Sequence, residues 1–211
     1  MFKKCVVFGA GLLVAGVACA QGNWYGGVSL GAATTSIKTE NVVTGATAYS
    51  FTKDERDTGY KLQAGYQFNK NFALEGGYVN LGKFSATENV TAPVVGSVKG
   101  DWKADGWNLF AVGIMPLGQD FSVYGKLGTI YSTLKTDITT SGAVFLAAGT
   151  PANRKRTEFD WAYGLGVQYD INKALSVRAE WERFDRLGNE GTNATGQYNF
   201  NLYSVGLNFK F

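Results

Sequence analysis

The sequence predicts an all-β chain: an eight-stranded antiparallel up-and-down transmembrane β-barrel with short periplasmic turns and long extracellular loops. Three observations predict it. Segments of strand length alternate large apolar residues with small or polar ones, the period-two pattern of a strand whose faces meet different media. The connections alternate between tight turns and long polar stretches, the asymmetry of membrane barrels. After an N-terminal leader, no apolar run reaches the roughly 18 residues that a membrane-crossing helix needs.

The leader is residues 1–20. It has a basic start at Lys3 and Lys4, an apolar run over 5–18 and the small-x-small end Ala18-Cys19-Ala20. That is a secretory signal peptide cleaved after Ala20, leaving 21–211 as the barrel domain. Acylation of Cys19 is the other reading, but Gly16 stands three residues before it, where leucine is usual. Both cysteines, Cys5 and Cys19, fall in the leader, so the mature chain is expected to carry no thiol or disulfide chemistry.

The first strand places Trp24, Gly26, Val28 and Leu30 on one face, and a polar stretch follows to about Asp57. The second carries Tyr60, Leu62, Ala64, Tyr66 and Phe68, and Asn69-Lys70-Asn71 turns it. The third sets Phe72, Leu74, Gly76 and Tyr78 against Ala73, Glu75 and Gly77, before a polar stretch to about Asp105. The fourth, 107–115, is apolar at both parities, so its faces stay open. After the turn at 116–120, the fifth strand sets Val123, Gly125 and Leu127 against Tyr124, Lys126 and Gly128. A third long loop spans 137–157 and includes the basic run Arg154-Lys155-Arg156 and the apolar patch 143–148.

The sixth strand alternates Phe159, Trp161, Tyr163, Leu165, Val167 and Tyr169 with Asp160, Ala162, Gly164, Gly166 and Gln168. Asn172-Lys173 turns it into the seventh, where Leu175, Val177, Ala179 and Trp181 oppose Ser176, Arg178, Glu180 and Glu182. The last strand puts Tyr203, Val205, Leu207, Phe209 and Phe211 on one face. Tyr198 and Phe200 have the opposite parity, which predicts a bulge near Asn201. In lipid no strand edge can be left open, so this strand must pair with the one that begins at Trp24.

Composition narrows the function. A net charge of +3 and the lack of a basic stripe exclude a nucleic-acid partner. There is no histidine, hence no ordinary neutral-pH base and no zinc set of the usual kind. Gly164-x-Gly166 is mid-strand with no helix after it, so it is not a nucleotide fingerprint. No cofactor is expected.

A soluble barrel would turn its apolar face inward. Here the charged residues share a face with many glycines, which suits a narrow polar lumen. Glu75 lies four residues after Asn71, Arg178 five after Lys173 and Lys126 six after Asp120. At about 3.3 Å per residue these depths agree within about 7 Å. Glu75, Lys126, Arg178 and Glu180 are therefore expected to form one interior network. It either satisfies itself in a closed lumen or acts as an ion gate.

The chain resembles the OmpA-like transmembrane barrel family, among the small porin-like outer-membrane proteins, from Trp24 to its end. The resemblance rests on Trp24-Tyr25-x-Gly27, Gly65-Tyr66-Gln67-x-Asn69, Glu75-x-Gly77-Tyr78, Tyr124-x-Lys126-Leu127-Gly128, Arg178-x-Glu180 and the aromatic terminus. It implies that Glu75 and Arg178 stand at the family's acidic and basic gate positions, with Lys126 at a further basic one. Val112 replaces a usual lysine and Gln168 a usual acid, so the gate is only partly present. It also implies that Tyr203, Val205, Leu207, Phe209 and Phe211 form the signal read by the barrel-assembly machinery. The chain stops at the barrel, so cell-wall anchoring by a periplasmic domain is not expected. The expected protein is a non-enzymatic bacterial outer-membrane barrel, structural or presenting surface loops, with a narrow or plugged lumen. Its expected partners are outer-membrane lipid and lipopolysaccharide, with a surface ligand through the loops also open. An adhesin and a small-solute porin are the alternatives.

Overall fold

The computed structural model describes residues 23–37, 47–144, 151–189 and 196–211. The expected signal peptide and positions 145–148 of the apolar patch lie outside the described residues. Nine strands follow in order: β1 (Trp24–Thr35), β2 (Ala48–Asp54), β3 (Arg56–Asn69), β4 (Phe72–Ala92), β5 (Gly96–Pro116), β6 (Phe121–Gly142), β7 (Asn153–Asp170), β8 (Leu175–Asn189) and β9 (Gly196–Lys210). All pairings are antiparallel. Around the ring the order is β1, β3, β4, β5, β6, β7, β8, β9, and β9 pairs back with β1 from Tyr25↔Lys210 to Thr35↔Phe200. The backbone N–H of Phe211 donates to the Trp24 carbonyl at 3.0 Å, so the seam is paired to its last residue. Closure leaves no edge in lipid. The ninth strand, β2, pairs with β4 above the end of β3 and continues the same wall.

Two of the short turns use one device. Asn69 Oδ1 accepts from the N–H groups of Asn71 and Phe72 at 2.8 and 3.0 Å. Asn172 Oδ1 accepts from those of Ala174 and Leu175 at 2.8 and 2.9 Å. Asparagine thus closes each reversal through its own side chain.

The outer face is apolar over a band of membrane-crossing length. It covers residues 107–115 on β5 and 159–169 on β7, nine and eleven residues, against about 9–11 for a tilted spanning strand. The open assignment on β5 is resolved: Trp107, Leu109 and Met115 face outward, while Phe110 and Val112 are buried in the lumen. Tyr78, Trp107, Tyr131 and Phe159 oppose one another in turn across β4 to β7 and form an aromatic row at the upper edge of the band. Within it Tyr78–Trp107 and Tyr131–Phe159 pack at centroid distances of 5.3 and 4.7 Å.

Above that row the walls continue, which corrects the expected loops. Residues 48–54, 79–92, 96–105, 137–142 and 153–157, which fall in stretches taken as polar connections, are strand. Their pattern was concealed because the polarity inverts. On β5 the exposed Lys99 and Lys103 face out, while buried Gly100 and Ala104 face in. Outside lipid, a barrel is an ordinary protein with polar residues on its surface and apolar ones within. The upper lumen is filled by Leu81, Phe84, Ile130, Leu134, Phe184, Leu187, Phe200 and Leu202, all with no measurable exposure. Phe84 and Phe200 pack with ring centroids 5.2 Å apart and their planes tilted by 54°.

Two bulges mark the change of level. On β4 the register shifts between Asn80 and Lys83, around Gly82 at φ 84°. On β8 it shifts between Phe184 and Leu187, where Arg186 adopts φ 57°. The bulge expected near Asn201 is not in β9: its register with β1 is continuous there, and the shift against β8, opposite Phe200 and Tyr198, comes from the extra residue of β8. Tyr198 and Phe200 have the other parity because they point into the apolar upper lumen, not because the strand is broken. The basic run also divides. It lies in β7 rather than at a loop tip; Lys155 opposes Lys135 on the outer face, while Arg156 pairs with Glu158. Val144, at the described end of the apolar patch, is buried.

Candidate functional site

The lower lumen holds a layer of opposite charges. Each of its side chains is inward because it occupies the inward parity of its strand, and each has a small residue across from it on at least one neighbour. Glu75 on β4 opposes Gly65, Lys126 on β6 opposes Gly164, and Glu180 on β8 opposes Gly166. Arg178 opposes Gly206 on β9. These glycines are room for side chains. A Cβ on Gly65 would stand 2.3 Å from the Tyr25 ring, and one on Gly166 would stand 2.4 Å from Tyr124.

The structure brings the four sequence-derived residues into contact. Lys126 Nζ lies 2.5 Å from Glu75 Oε1 and 3.0 Å from Glu180 Oε1. Arg178 Nη1 lies 2.6 Å from Glu75 Oε2 and 3.7 Å from Glu180 Oε1. Two further members escaped the sequence reading. Lys61 Nζ pairs with Glu180 and, at 2.8 Å, with Glu182; Glu182 also lies 3.4 Å from Lys126. The layer therefore contains three cations and three carboxylates, all buried.

Neutral groups complete it. The hydroxyls of Tyr25 and Tyr124 donate to Glu75 and Glu180 at 2.9 and 2.5 Å. Arg178 Nε donates to Gln168 Oε1 at 2.7 Å, so the residue standing where an acid was expected still serves the arginine as acceptor. The guanidinium lies over the Tyr25 and Tyr124 rings at 4.8 and 5.0 Å. Val112 faces Lys126 across β5 and β6 and adds no charge. A closed, charge-balanced set of this kind offsets the cost of desolvation because nearly every lone pair and proton has a partner. Among the described residues no cluster of three or more acidic, histidine or cysteine side chains is arranged to hold a metal.

Comparison with known proteins agrees with this architecture. The OmpA-like transmembrane domain matches residues 19–211. Outer membrane protein A of Salmonella typhi is 27% identical over 198 residues, covering 94% of this chain and 51% of that protein. The Shigella flexneri protein of the same name is 26% identical over 199 residues, covering 94% and 51%. The chain thus spans about half the length of these relatives. Among solved structures, OprG from Pseudomonas aeruginosa superposes with a TM-score of 0.52 at 19% identity, covering 90% of this chain and 97% of that one. Neisserial surface protein A gives 0.51 at 12%, with the same coverage. At such identities the likeness is one of fold. The chain belongs to the OmpA-like transmembrane domain family and is a β-barrel of the bacterial outer membrane.

Proposed function

We propose that the protein is a non-enzymatic outer-membrane barrel whose lumen is plugged, and that its work is done by its wall and its outer surface. The observation that carries this is the filled interior. The charged layer of Glu75, Lys61, Lys126, Arg178, Glu180 and Glu182 closes the lower lumen, and the apolar stack around Phe84 and Phe200 closes the upper. In this reading the charged layer is structural rather than a gate. Eight strands leave an interior just wide enough for side chains. Planar-bilayer recording of the purified protein tests it: no steady conductance is expected, and a large, stable one would overturn it.

Residues 1–20 act as the cleaved leader in this reading. The strand carrying Tyr203, Val205, Leu207, Phe209 and Phe211 is the one the barrel-assembly machinery engages, which its unbroken outward apolar row supports. Removing Phe211 should then lower assembly in cells more than it lowers stability in detergent; equal losses would leave it a wall element only. Outer-leaflet lipid and lipopolysaccharide are the surrounding partners. An adhesin reading is favoured by one observation: β5 begins eleven residues above Trp107, roughly 36 Å of strand at about 3.3 Å per residue, so the outer hairpins are long and β-structured. Cell-binding by barrels with and without the upper β4–β5 hairpin separates it from a purely structural role.

A further inference from the structure

The strand register sets four lysines side by side. Lys83 on β4 opposes Lys103 on β5, Lys103 opposes Lys135 on β6, and Lys135 opposes Lys155 on β7. All four are exposed on the outer face. Like charges directly across a sheet repel, so an unbroken row of four is a cost that nothing in the fold requires. Local carboxylates relieve little of it. Asp101 lies 3.3 Å from Lys83 and 3.3 Å from Lys99. Asp137 faces Asp101, and Asp105, below the row, takes the Tyr78 hydroxyl at 3.2 Å. Lys103, Lys135 and Lys155 take part in no ion pair among the described residues.

The height of the row is informative. Lys103, Lys135 and Lys155 each stand four residues above the aromatic row, over Trp107, Tyr131 and Phe159. On β4 the bulge at Gly82 adds one residue and keeps Lys83 level with the others. Four residues are about 13 Å along the strand, and about 10 Å of height once a strand tilt of about 35–45° is allowed for. Aromatic belts sit at the headgroup level, and lysine stems reach along a surface to place their ammonium groups in it. The ammonium groups therefore face sideways into the headgroup layer of the outer leaflet, on the β4–β7 side alone.

From this we infer that Lys83, Lys103, Lys135 and Lys155 form a docking row for the phosphate groups of outer-leaflet glycolipid. The inference rests on the lipid partner proposed above. Its occupant is a lipid rather than a soluble polyanion because the row lies on the barrel's flank beside the aromatic belt, not on the hairpin tips. Lysine serves such phosphates as a point charge, and a phosphate before each lysine pair would replace the repulsion by bridging.

The test titrates bisphosphoryl lipid A into the whole folded protein in neutral detergent and follows binding by native mass spectrometry. A variant carrying K103Q, K135Q and K155Q is compared with one carrying K70Q and K173Q at the opposite end of the barrel. The triple variant should bind at least tenfold more weakly and the control like wild type. Because these positions are on the surface, both should keep the heat-modifiable gel shift of the folded barrel. A second readout has opposite signs in the two media: without lipid A the triple variant should unfold at higher denaturant than wild type, and with lipid A at lower. Equal binding by wild type and triple variant would overturn the lysine row while leaving a lipid partner elsewhere. No binding by wild type would overturn both. Retained lipid A binding by the triple variant, with lost binding of a soluble sulfated polysaccharide titrated into the same two proteins, would overturn it in favour of a soluble polyanion.

Discussion

At the scale of single residues, the charged layer is stabilising only as a complete set. Lys61 is the partner of both Glu180 and Glu182. Lys61→Met removes one cation and leaves a buried excess of negative charge, an effect of about 3–5 kcal/mol against folding. Urea unfolding in detergent measures it, and Glu182→Gln in the same chain should restore part of the loss by rebalancing the layer. The sequence made four of the six members legible because they lie four to seven residues after a tight turn, where counting gives depth. Lys61 lies eight residues before Asn69 and Glu182 nine after Lys173. Counting from turns treats strands as level. Barrel strands are tilted and staggered, and lysine has a long stem, so these two reach the layer from positions that the count excludes. Tyr25 and Tyr124 were placed on the inner face, but nothing in one sequence says that Gly65 and Gly166 leave space for their rings.

At the scale of the strand, β9 shows how one segment serves several media. Its lower half sets Val205, Leu207 and Phe209 toward lipid, with Ser204, Gly206 and Asn208 toward the lumen. Leu207 stands midway between Tyr203 and Phe211 and close to the middle of the band. Leu207→Arg should therefore cost about 2–4 kcal/mol in a bilayer, measured by unfolding in lipid vesicles, and clearly less in a small detergent micelle that deforms around the charge. The lower halves of the walls were legible because lipid imposes apolar residues on one face, except on β5, where Phe110 and Val112 fill the lumen and make both parities apolar. The upper halves were not, since polar outward residues such as Lys99, Asp101 and Lys103 read as loop. Only the pairing of Lys99 with Thr139 and of Lys103 with Lys135 reveals the wall.

For the whole molecule, two fillings in series separate the two ends of the lumen. The lower is ionic and the upper apolar, so no single substitution removes both. Glu75→Gln with Arg178→Gln should disturb the charged layer without opening a path, and Phe84→Ala with Phe200→Ala should lose about 3–5 kcal/mol per ring with the path still closed below. Combining all four should give measurable ion current from the folded protein in a planar bilayer, while each pair alone stays silent. Current from the first pair alone would mean that the upper stack does not seal. The eight-strand closure and the seam between the first and last strands followed from the sequence, because an unpaired edge is untenable in lipid. The second filling did not, since Leu81 and Phe84 fall in a stretch that looked like a polar connection.

The bulge at Gly82 acts as a phase shifter between two coding schemes. Below it on β4 the odd positions Ala73, Glu75 and Val79 are buried; above it the even positions Phe84, Glu88 and Val90 are. Because the bulge absorbs one extra residue, deleting that glycine would leave a regular strand with Lys83 still outward and Phe84 still inward, whereas adding or deleting one residue outside the bulge would exchange the faces above it. The outer hairpin of this barrel is therefore transplantable without its bulge: a graft cut above Gly82 keeps its oily and wet faces on any regular strand that receives Lys83 at an outward position.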